Sequence, residues 1–158
     1  MRAAFSRVVE QTQGDDVSLL IYGQQGSTNA ETWPCPVHWL GPVRDDRALA
    51  LAYSAADVMV VPSRQDNLPN TAVEARACGT PVVAFDIGGL PDIVEHRQTG
   101  WRVPPFDIEQ LTEGITWVLA QGETGRLAAQ ARERAVARFA YPGVAGSYKA
   151  VYRSVLSG

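Results

Sequence analysis

The stretch PSRQDNLPNTAVEARACGTPVV, residues 62–83, indicates the fold class of this chain. It follows an apolar run that Pro62 ends, and after a polar loop its Asn-Thr pair begins an alanine-rich segment with helical character. Gly79 is a good stop signal for that helix, and the apolar run PVVAF comes next. A strand, a crossover helix and a second strand in this order are typical of a parallel sheet.

The same alternation continues on both sides of this stretch. Short apolar runs predict strands at VSLLIYG (17–23), VHWLG (37–41), DVMVV (57–61), PVVAF (81–85) and GWRV (100–103), the first two of them with the pattern of a strand buried on both faces. Helical patterns occur at the start of the chain, over 45–57, 71–79 and 88–96, and over about 107–121, 124–139 and 143–156, with YPG (141–143) as the last break. These patterns predict one α/β domain over residues 1–158, with a doubly wound parallel sheet and helices on both faces. Because such a fold usually begins with a strand and this chain begins with a helix, we expect its first strand to be missing.

Composition excludes several classes of function. The 158 residues are 46% hydrophobic and carry a net charge of −3, with no dense basic run, so nucleic acid is not the expected partner. No apolar run approaches the ~18 residues of a membrane span. The two cysteines, Cys35 and Cys78, form no disulfide framework, and we expect small buried side chains in a reducing compartment. His38 lies in an apolar strand and His96 near a helix end, and neither has a second ligand at metal spacing, so both are expected to be structural.

The loop after the third strand contains the strongest candidate site. In an open α/β sheet, ligands bind at the carboxyl ends of the strands, and the free amides at a helix start bind phosphate. The helix begins near Asn70 or Thr71, so Glu74 lies one turn inside it. From there its carboxylate could accept two hydrogen bonds from a vicinal diol such as a ribose. Asp66 lies in the loop before the helix, on the opposite side of the same opening.

Structural explanations compete with this interpretation. Thr71 and Glu74 fit the capping-box pattern, in which Glu74 would reach back to the Thr71 amide. Asp66 could close an Asx-turn. Gly88 and Gly89, which follow the fourth strand, could allow close approach of a ligand or could form a tight strand-to-helix turn.

The chain from VHWLGPV through AADVMVVPSRQDNLPNTAVEARACGTPVVAFDIGGLPDIV to TGWRVPPFDIEQL is similar to the retaining glycosyltransferases of family 4, the group 1 type. The resemblance covers about residues 17–157. It implies a GT-B enzyme, in which two Rossmann-like domains face a cleft, and this chain resembles the C-terminal, donor-binding domain. The opening strand, with the cations that neutralise the pyrophosphate, and the acceptor domain are then missing from it. The resemblance also implies that the final helix packs across the hinge onto the other domain.

The resemblance also assigns roles to individual residues. It implies that Glu74 holds the ribose and that Asp66, where the family usually has Glu, faces the donor sugar, so these two are the candidate catalytic residues. The candidate substrate-binding residues are the loop and helix start Asn67, Leu68, Pro69, Asn70 and Thr71, the paired glycines Gly88 and Gly89, and Pro42 and Val43, which match a region that often lines the base.

We therefore expect the donor half of a transferase that uses a UDP- or GDP-sugar in polysaccharide or glycolipid synthesis. We expect no metal or other cofactor, because helix amides and cations would stabilise the leaving diphosphate. The alternatives are a non-catalytic nucleotide-sugar binding or interaction module and a sugar-nucleotide epimerase of GT-B architecture. The expected location is cytoplasmic, with any contact at the inner face of the cell membrane made through the missing half.

Overall fold

The computed structural model of the chain describes residues 1–12, 17–23, 33–122 and 125–156. Residue 124, where the sequence predicts the start of a helix, lies outside them. The elements follow in the order α1 (Arg2–Gln11), β1 (Leu19–Tyr22), β2 (Val37–Gly41), α2 (Asp46–Ser54), β3 (Met59–Val61), α3 (Asn70–Ala77), β4 (Val82–Phe85), α4 (Leu90–Ile93), β5 (Gly100–Val103), α5 (Ile108–Gln121), α6 (Arg126–Phe139) and α7 (Tyr141–Leu156).

The strands pair in parallel, as the crossover pattern predicts. β1 pairs with β2, and β3, β4 and β5 form a second sheet with β4 at its centre. The described strands thus form a two-stranded and a three-stranded parallel sheet with helices between them, which is an α/β architecture.

The hydrophobic core lies on both faces of the three-stranded sheet. β4 is buried along its whole length, and successive side chains of a strand point to opposite faces. Val83 and Phe85 pack in one cluster with α1 and α5, whereas Val82 and Ala84 pack in another with residues of α2, α3 and α4. This layering holds α3, the helix that bears Glu74, against the sheet.

A gap lies between the two sheets. The edges of β1 and β3 that are not paired with β2 and β4 line a cavity of about 420 Å³, together with Phe5 and Val8 of α1. The prediction that β1 and β2 are buried on both faces is wrong, because no residue of either strand is fully buried and Leu20, Trp39 and Leu40 are exposed. The expectation that the first strand of the fold is missing stays a prediction.

Three local expectations need correction. The break between the last two helices falls at Ala140, which has an extended backbone, and Pro142 lies in the first turn of α7, where a proline is tolerated. His38 is exposed on β2 and does not belong to the core. Cys35 and Cys78 are half-buried rather than buried, although burial raises the pKa of the Cys35 thiol.

His96 has the structural role that the sequence predicts for it. Its Nδ1 accepts a hydrogen bond from the Arg102 amide at 3.2 Å, and its ring lies 4.5 Å from that of the buried Trp101. Burial lowers the pKa of His96, and the charges of Arg97 and Arg102 lower it further. The neutral imidazole therefore serves as an acceptor in this contact.

Candidate functional site

The open start of α3 lies at the carboxyl end of β3, behind the loop 62–69. Pro69 is the N-cap residue of the helix, and no side chain caps it. The amides of Asn70 and Thr71, the first two residues of α3, have no hydrogen-bond acceptor in the part of the chain that the structure describes. Unpaired amides at a helix start carry partial positive charge, so this end of α3 can bind a phosphate group.

Glu74 lies one turn into α3, and its contacts exclude the capping-box explanation. Its Oε2 accepts a hydrogen bond from the Tyr53 hydroxyl at 3.0 Å. Because the helix begins at Asn70, Thr71 lies inside the helix and not at its cap, so the capping-box geometry cannot form. The side chain of Glu74 is nevertheless exposed, so its carboxylate is accessible to a ligand while Tyr53 holds one of its oxygens.

Tyr53 and Tyr22 form a chain of hydroxyls behind Glu74 that the sequence analysis missed. Tyr53 is only 3% exposed, its hydroxyl lies 3.0 Å from that of Tyr22, and the two rings meet edge to face. Burial raises the pKa of Tyr53, and its contacts with Tyr22 and Glu74 raise it further, so the phenol stays protonated and can donate. The one available signal was that a buried tyrosine needs a partner for its hydroxyl.

Asp66 and Asn67 form a tight contact with the glycine pair through their backbones. A Cβ on Gly88 would lie 1.8 Å from the carbonyl oxygen of Asp66, and one on Gly89 would lie 1.9 Å from that of Asn67. The amide of Gly89 also donates to the Asp66 carbonyl at 3.4 Å. Gly88 and Gly89 form the strand-to-helix turn that the sequence suggested, with a φ of 57° at Gly88, and the approach of the loop backbone is a further reason for glycine at both positions.

The carboxylate of Asp66 is left available by this arrangement. It makes no hydrogen bond within the described ranges, so the proposed Asx-turn does not form. The residue is half-buried, and its backbone lies beside Gly88, just before α4. An unpaired, half-buried carboxylate next to an open helix start suits a polar ligand that extends beyond the phosphate position.

The remaining candidates lie in two places. Leu68 is exposed and lies beside Gly89, while Pro69 is buried under the helix start. Pro42 and Val43 directly follow β2, at the carboxyl end of the two-stranded sheet. No hydrogen bond of the described part joins them to the loop 66–71, and their contact with a base stays a prediction.

The other end of α3 is fixed by a buried cation. Arg76 is 1% exposed, and its Nη1 donates to the Ile93 carbonyl at the end of α4. Burial lowers the pKa of Arg76 to about 10, with a further contribution from the charges of Arg134 and Arg138, so the guanidinium is still charged at neutral pH. The contact ties α3 to α4, which follows the glycine pair.

Neither a metal-binding cluster nor a membrane-spanning helix occurs among the described residues. Within them, no group of three or more His, Cys, Asp or Glu side chains is arranged to hold a metal ion. None of the helices in the same ranges has the length and apolar character needed to cross a membrane.

Comparison with known proteins identifies similar sequences over most of the chain. The family model described as "Glycosyl transferases group 1" matches residues 1–121. The D-inositol 3-phosphate glycosyltransferase of Segniliparus rotundus is 37% identical over 117 residues, which cover 74% of this chain and 26% of that protein. The enzyme of the same name from Mycobacterium tuberculosis strain H37Ra is 36% identical over 117 residues, 73% of this chain and 24% of its own length. The chain thus spans about a quarter of the length of these relatives.

Solved structures share the fold over nearly the whole chain. The sucrose-phosphate synthase of Thermosynechococcus elongatus superposes with a TM-score of 0.76 at 31% identity, covering 99% of this chain and 43% of that one. The pneumococcal O-GlcNAc transferase GtfA, solved with UDP and GlcNAc, gives 0.71 at 19% identity over 98% of this chain and 32% of its own. HepE from Anabaena, solved with UDP-glucose, gives 0.66 at 18% identity over 100% of this chain and 54% of its own. These likenesses bear out a Rossmann-like α/β fold of the GT-B kind.

Proposed function

This chain belongs to the group 1 glycosyltransferases, and we propose that residues 1–158 are the donor-binding domain of a retaining enzyme of that family. The observation that carries the proposal is the rim formed by the start of α3. There, an Asp66 carboxylate and helix-start amides that have no hydrogen-bond partner among the described residues follow the end of β3, and an anchored but exposed Glu74 comes after them.

The proposed donor is a nucleoside diphosphate sugar. Its diphosphate would accept hydrogen bonds from the amides of Asn70 and Thr71, and the partial charge of the α3 N-terminus would favour the anion. Glu74 would accept hydrogen bonds from the two ribose hydroxyls, and Pro42 and Val43 would contact the base. UDP is the first nucleotide to test, because GtfA and HepE were solved with UDP or a UDP-sugar.

The proposed chemistry breaks the bond between the anomeric carbon and the diphosphate oxygen. The electron pair leaves with the diphosphate, whose growing charge the α3 amides stabilise. The acceptor hydroxyl oxygen forms the new bond on the same face of the sugar, and its proton passes to the departing phosphate oxygen. Asp66 would accept a sugar hydroxyl and stabilise the positive charge that develops on the ring.

The acceptor would bind on the other half of the proposed two-domain cleft, opposite the donor-binding residues. We propose a role in polysaccharide or glycolipid synthesis in the cytoplasm, because a nucleotide sugar is the substrate. An epimerase would convert a nucleotide sugar without any acceptor. Product analysis after incubation with UDP-glucose alone therefore separates the two reactions.

Glu74→Gln tests the proposed function. We expect UDP to bind about tenfold more weakly, because hydrogen bonds to a charged group contribute about 1.5 to 3 kcal/mol and the amide offers a single neutral oxygen. The unfolding free energy should change by about 1 kcal/mol or less, since Gln can still accept from Tyr53. Calorimetric titration with UDP and GDP, and thermal unfolding, measure the two quantities.

Glu133→Gln is the matched control for this test. It removes the same charge from an exposed position on α6 and should leave nucleotide affinity unchanged. If Glu74→Gln lowers the unfolding midpoint by several degrees and UDP affinity is retained, Glu74 is a structural residue and the proposal fails.

A further inference from the structure

We propose that Tyr53 is a positioning residue, whose hydroxyl holds the Glu74 carboxylate in the orientation that receives the ribose diol. The inference rests on the proposed function, in which Glu74 contacts the ribose. It adds a residue on another element, α2, that touches neither the nucleotide nor the sugar and acts through Glu74.

The directions of the hydrogen bonds follow from the number of protons. Each phenol has one O–H proton, and the carboxylate of Glu74 has none to give when it is ionised. The hydroxyl of Tyr53 therefore donates to Glu74 Oε2 at 3.0 Å, which leaves its own lone pairs free to accept. Across the 3.0 Å contact between the two hydroxyls, Tyr22 must then be the donor. Both hydroxyl protons therefore point toward Glu74 along the series of hydrogen bonds from Tyr22 through Tyr53.

This arrangement leaves the other oxygen of Glu74 for the ligand. A glutamate on a helix surface has three side-chain torsions, and fixing them on binding costs conformational entropy. Because Tyr53 already holds Oε2, part of that ordering is present before the ligand arrives, which favours binding. Because Glu74 is an exposed residue, Oε1 and the remaining lone pair of Oε2 are available in this proposal to accept the two hydroxyls of a diol.

Tyr53 is itself held from several sides. Its ring is 3% exposed and lies edge to face with that of Tyr22, with 5.8 Å between centroids. Its carbonyl accepts a 2.6 Å hydrogen bond from the hydroxyl of the buried Thr80, just before β4. A side chain anchored through both its ring and its backbone can serve as a fixed reference for a flexible neighbour.

The test compares two ligands that differ only in the diol. UDP and 2′,3′-dideoxy-UDP are titrated against the wild-type chain and against Tyr53→Phe, which keeps the ring and removes the hydroxyl. We expect wild type to prefer UDP, and we expect Tyr53→Phe to reduce that preference about fivefold, which is the effect of one hydrogen bond of ordinary strength. Affinity for the dideoxy ligand should stay unchanged, because that ligand has no diol for Glu74 to hold. If GDP binds more tightly than UDP, the same comparison is made with GDP and 2′,3′-dideoxy-GDP.

Three variants interpret the result. Tyr22→Phe removes the second hydroxyl and should reduce the preference by about twofold, since it acts one bond further away. Tyr141→Phe removes a phenol hydroxyl that is 91% exposed on α7 and should change nothing. Glu74→Gln should abolish most of the preference.

The possible outcomes separate the inference from the function on which it rests. A preference that falls in Glu74→Gln but not in Tyr53→Phe overturns the positioning role and leaves the ribose contact standing. Equal weakening of both ligands by Tyr53→Phe, or the same loss in Tyr141→Phe, shows a general structural effect and also overturns it. If wild type does not distinguish the two ligands, or if Glu74→Gln distinguishes them as well as wild type does, the ribose contact itself is wrong and the inference falls with it.

Discussion

Asp66 differs from Glu74 in that nothing described in the structure holds its carboxylate. It lies in the loop before α3, and its backbone rather than its side chain is fixed by the glycine pair. The group 1 family resembled in sequence usually has a glutamate at this position. Because aspartate is one methylene shorter, its carboxylate lies about 1.5 Å, one C–C bond, farther from the ligand than a glutamate carboxylate would. Hydroxyl binding and charge stabilisation need less reach than a covalent attack, which requires the reacting atoms to lie about 3 to 3.5 Å apart.

Asp66→Asn should therefore weaken binding of the donor sugar and leave binding of the nucleotide nearly unchanged. We expect UDP affinity to remain within about twofold of wild type, and UDP-glucose affinity to fall about tenfold through the loss of a charge-assisted hydrogen bond. Calorimetric titration with both ligands measures the two values. Equal weakening of UDP and UDP-glucose would contradict a sugar-facing role, and so would unchanged binding of both.

The individual residues show which parts of the site sequence patterns can predict. Glu74 and Asp66 could be identified because their signals are local: a strand end, a polar loop and a helix start. The contact between Tyr53 and Glu74 joins residues 21 positions apart and depends on how α2 packs against α3. Spacing alone also favoured a capping box with Thr71 at the N-cap, but the helix begins two residues earlier and Pro69 takes that position.

The turn from β4 into α4 shows how closely two elements approach at the site. Gly89 has an ordinary backbone conformation, so its need for glycine comes from the Asn67 carbonyl oxygen, which a Cβ would meet at 1.9 Å. Gly88 faces Asp66 in the same way and in addition has a positive φ of 57°. A methyl group at Gly89 must displace the loop backbone, since no flexible side chain can move aside in its place.

Gly89→Ala should lower the unfolding free energy by about 2 kcal/mol, within the range for inserting a group into a packed position. UDP-glucose binding should weaken along with it, because the loop that moves carries Asp66. Gly146→Ala, in α7, is the matched control: its Cβ meets nothing within 4 Å, and it should stabilise the helix by up to about 1 kcal/mol. Thermal unfolding of both variants measures the difference. A Gly89→Ala variant as stable as wild type would show that the loop and the turn do not approach this closely.

At the scale of elements, most strands and helices follow from the sequence because their apolar runs are short and separated by clear stop signals. The exposure of β1 does not follow, because the run LLIY is equally apolar whether or not a strand lies beside it. The start of α7 was also misjudged, since YPG can interrupt a helix or occupy its first turn.

The whole molecule has two surfaces that its own described residues do not cover. One is the cavity between β1 and β3, and the other is a stripe on α7, which has no buried residue. Tyr148, Val151, Tyr152 and Val155 form that stripe at helical spacing, with exposures of 57% to 73%. The resemblance assigns this helix to a contact with the acceptor domain, and that assignment stays a prediction. Sequence patterns could locate the apolar residues but not the surfaces that face them.

Purified residues 1–158 should fold and bind nucleotide but should not transfer sugar. The two core clusters support a folded domain, and the proposed donor rim lies within it. Transfer also requires an acceptor hydroxyl aligned with the anomeric carbon, and such positioning can supply about 7 to 11 kcal/mol of the barrier. In the proposal, residues 1–158 supply the donor side of the cleft, and they span about a quarter of the length of the relatives they match. Incubation with UDP-glucose and a panel of sugar and inositol acceptors, followed by mass analysis, should detect no product above the enzyme-free background. UDP titration of the same preparation shows that the site is intact, and turnover by such a preparation would contradict the division of labour between two domains.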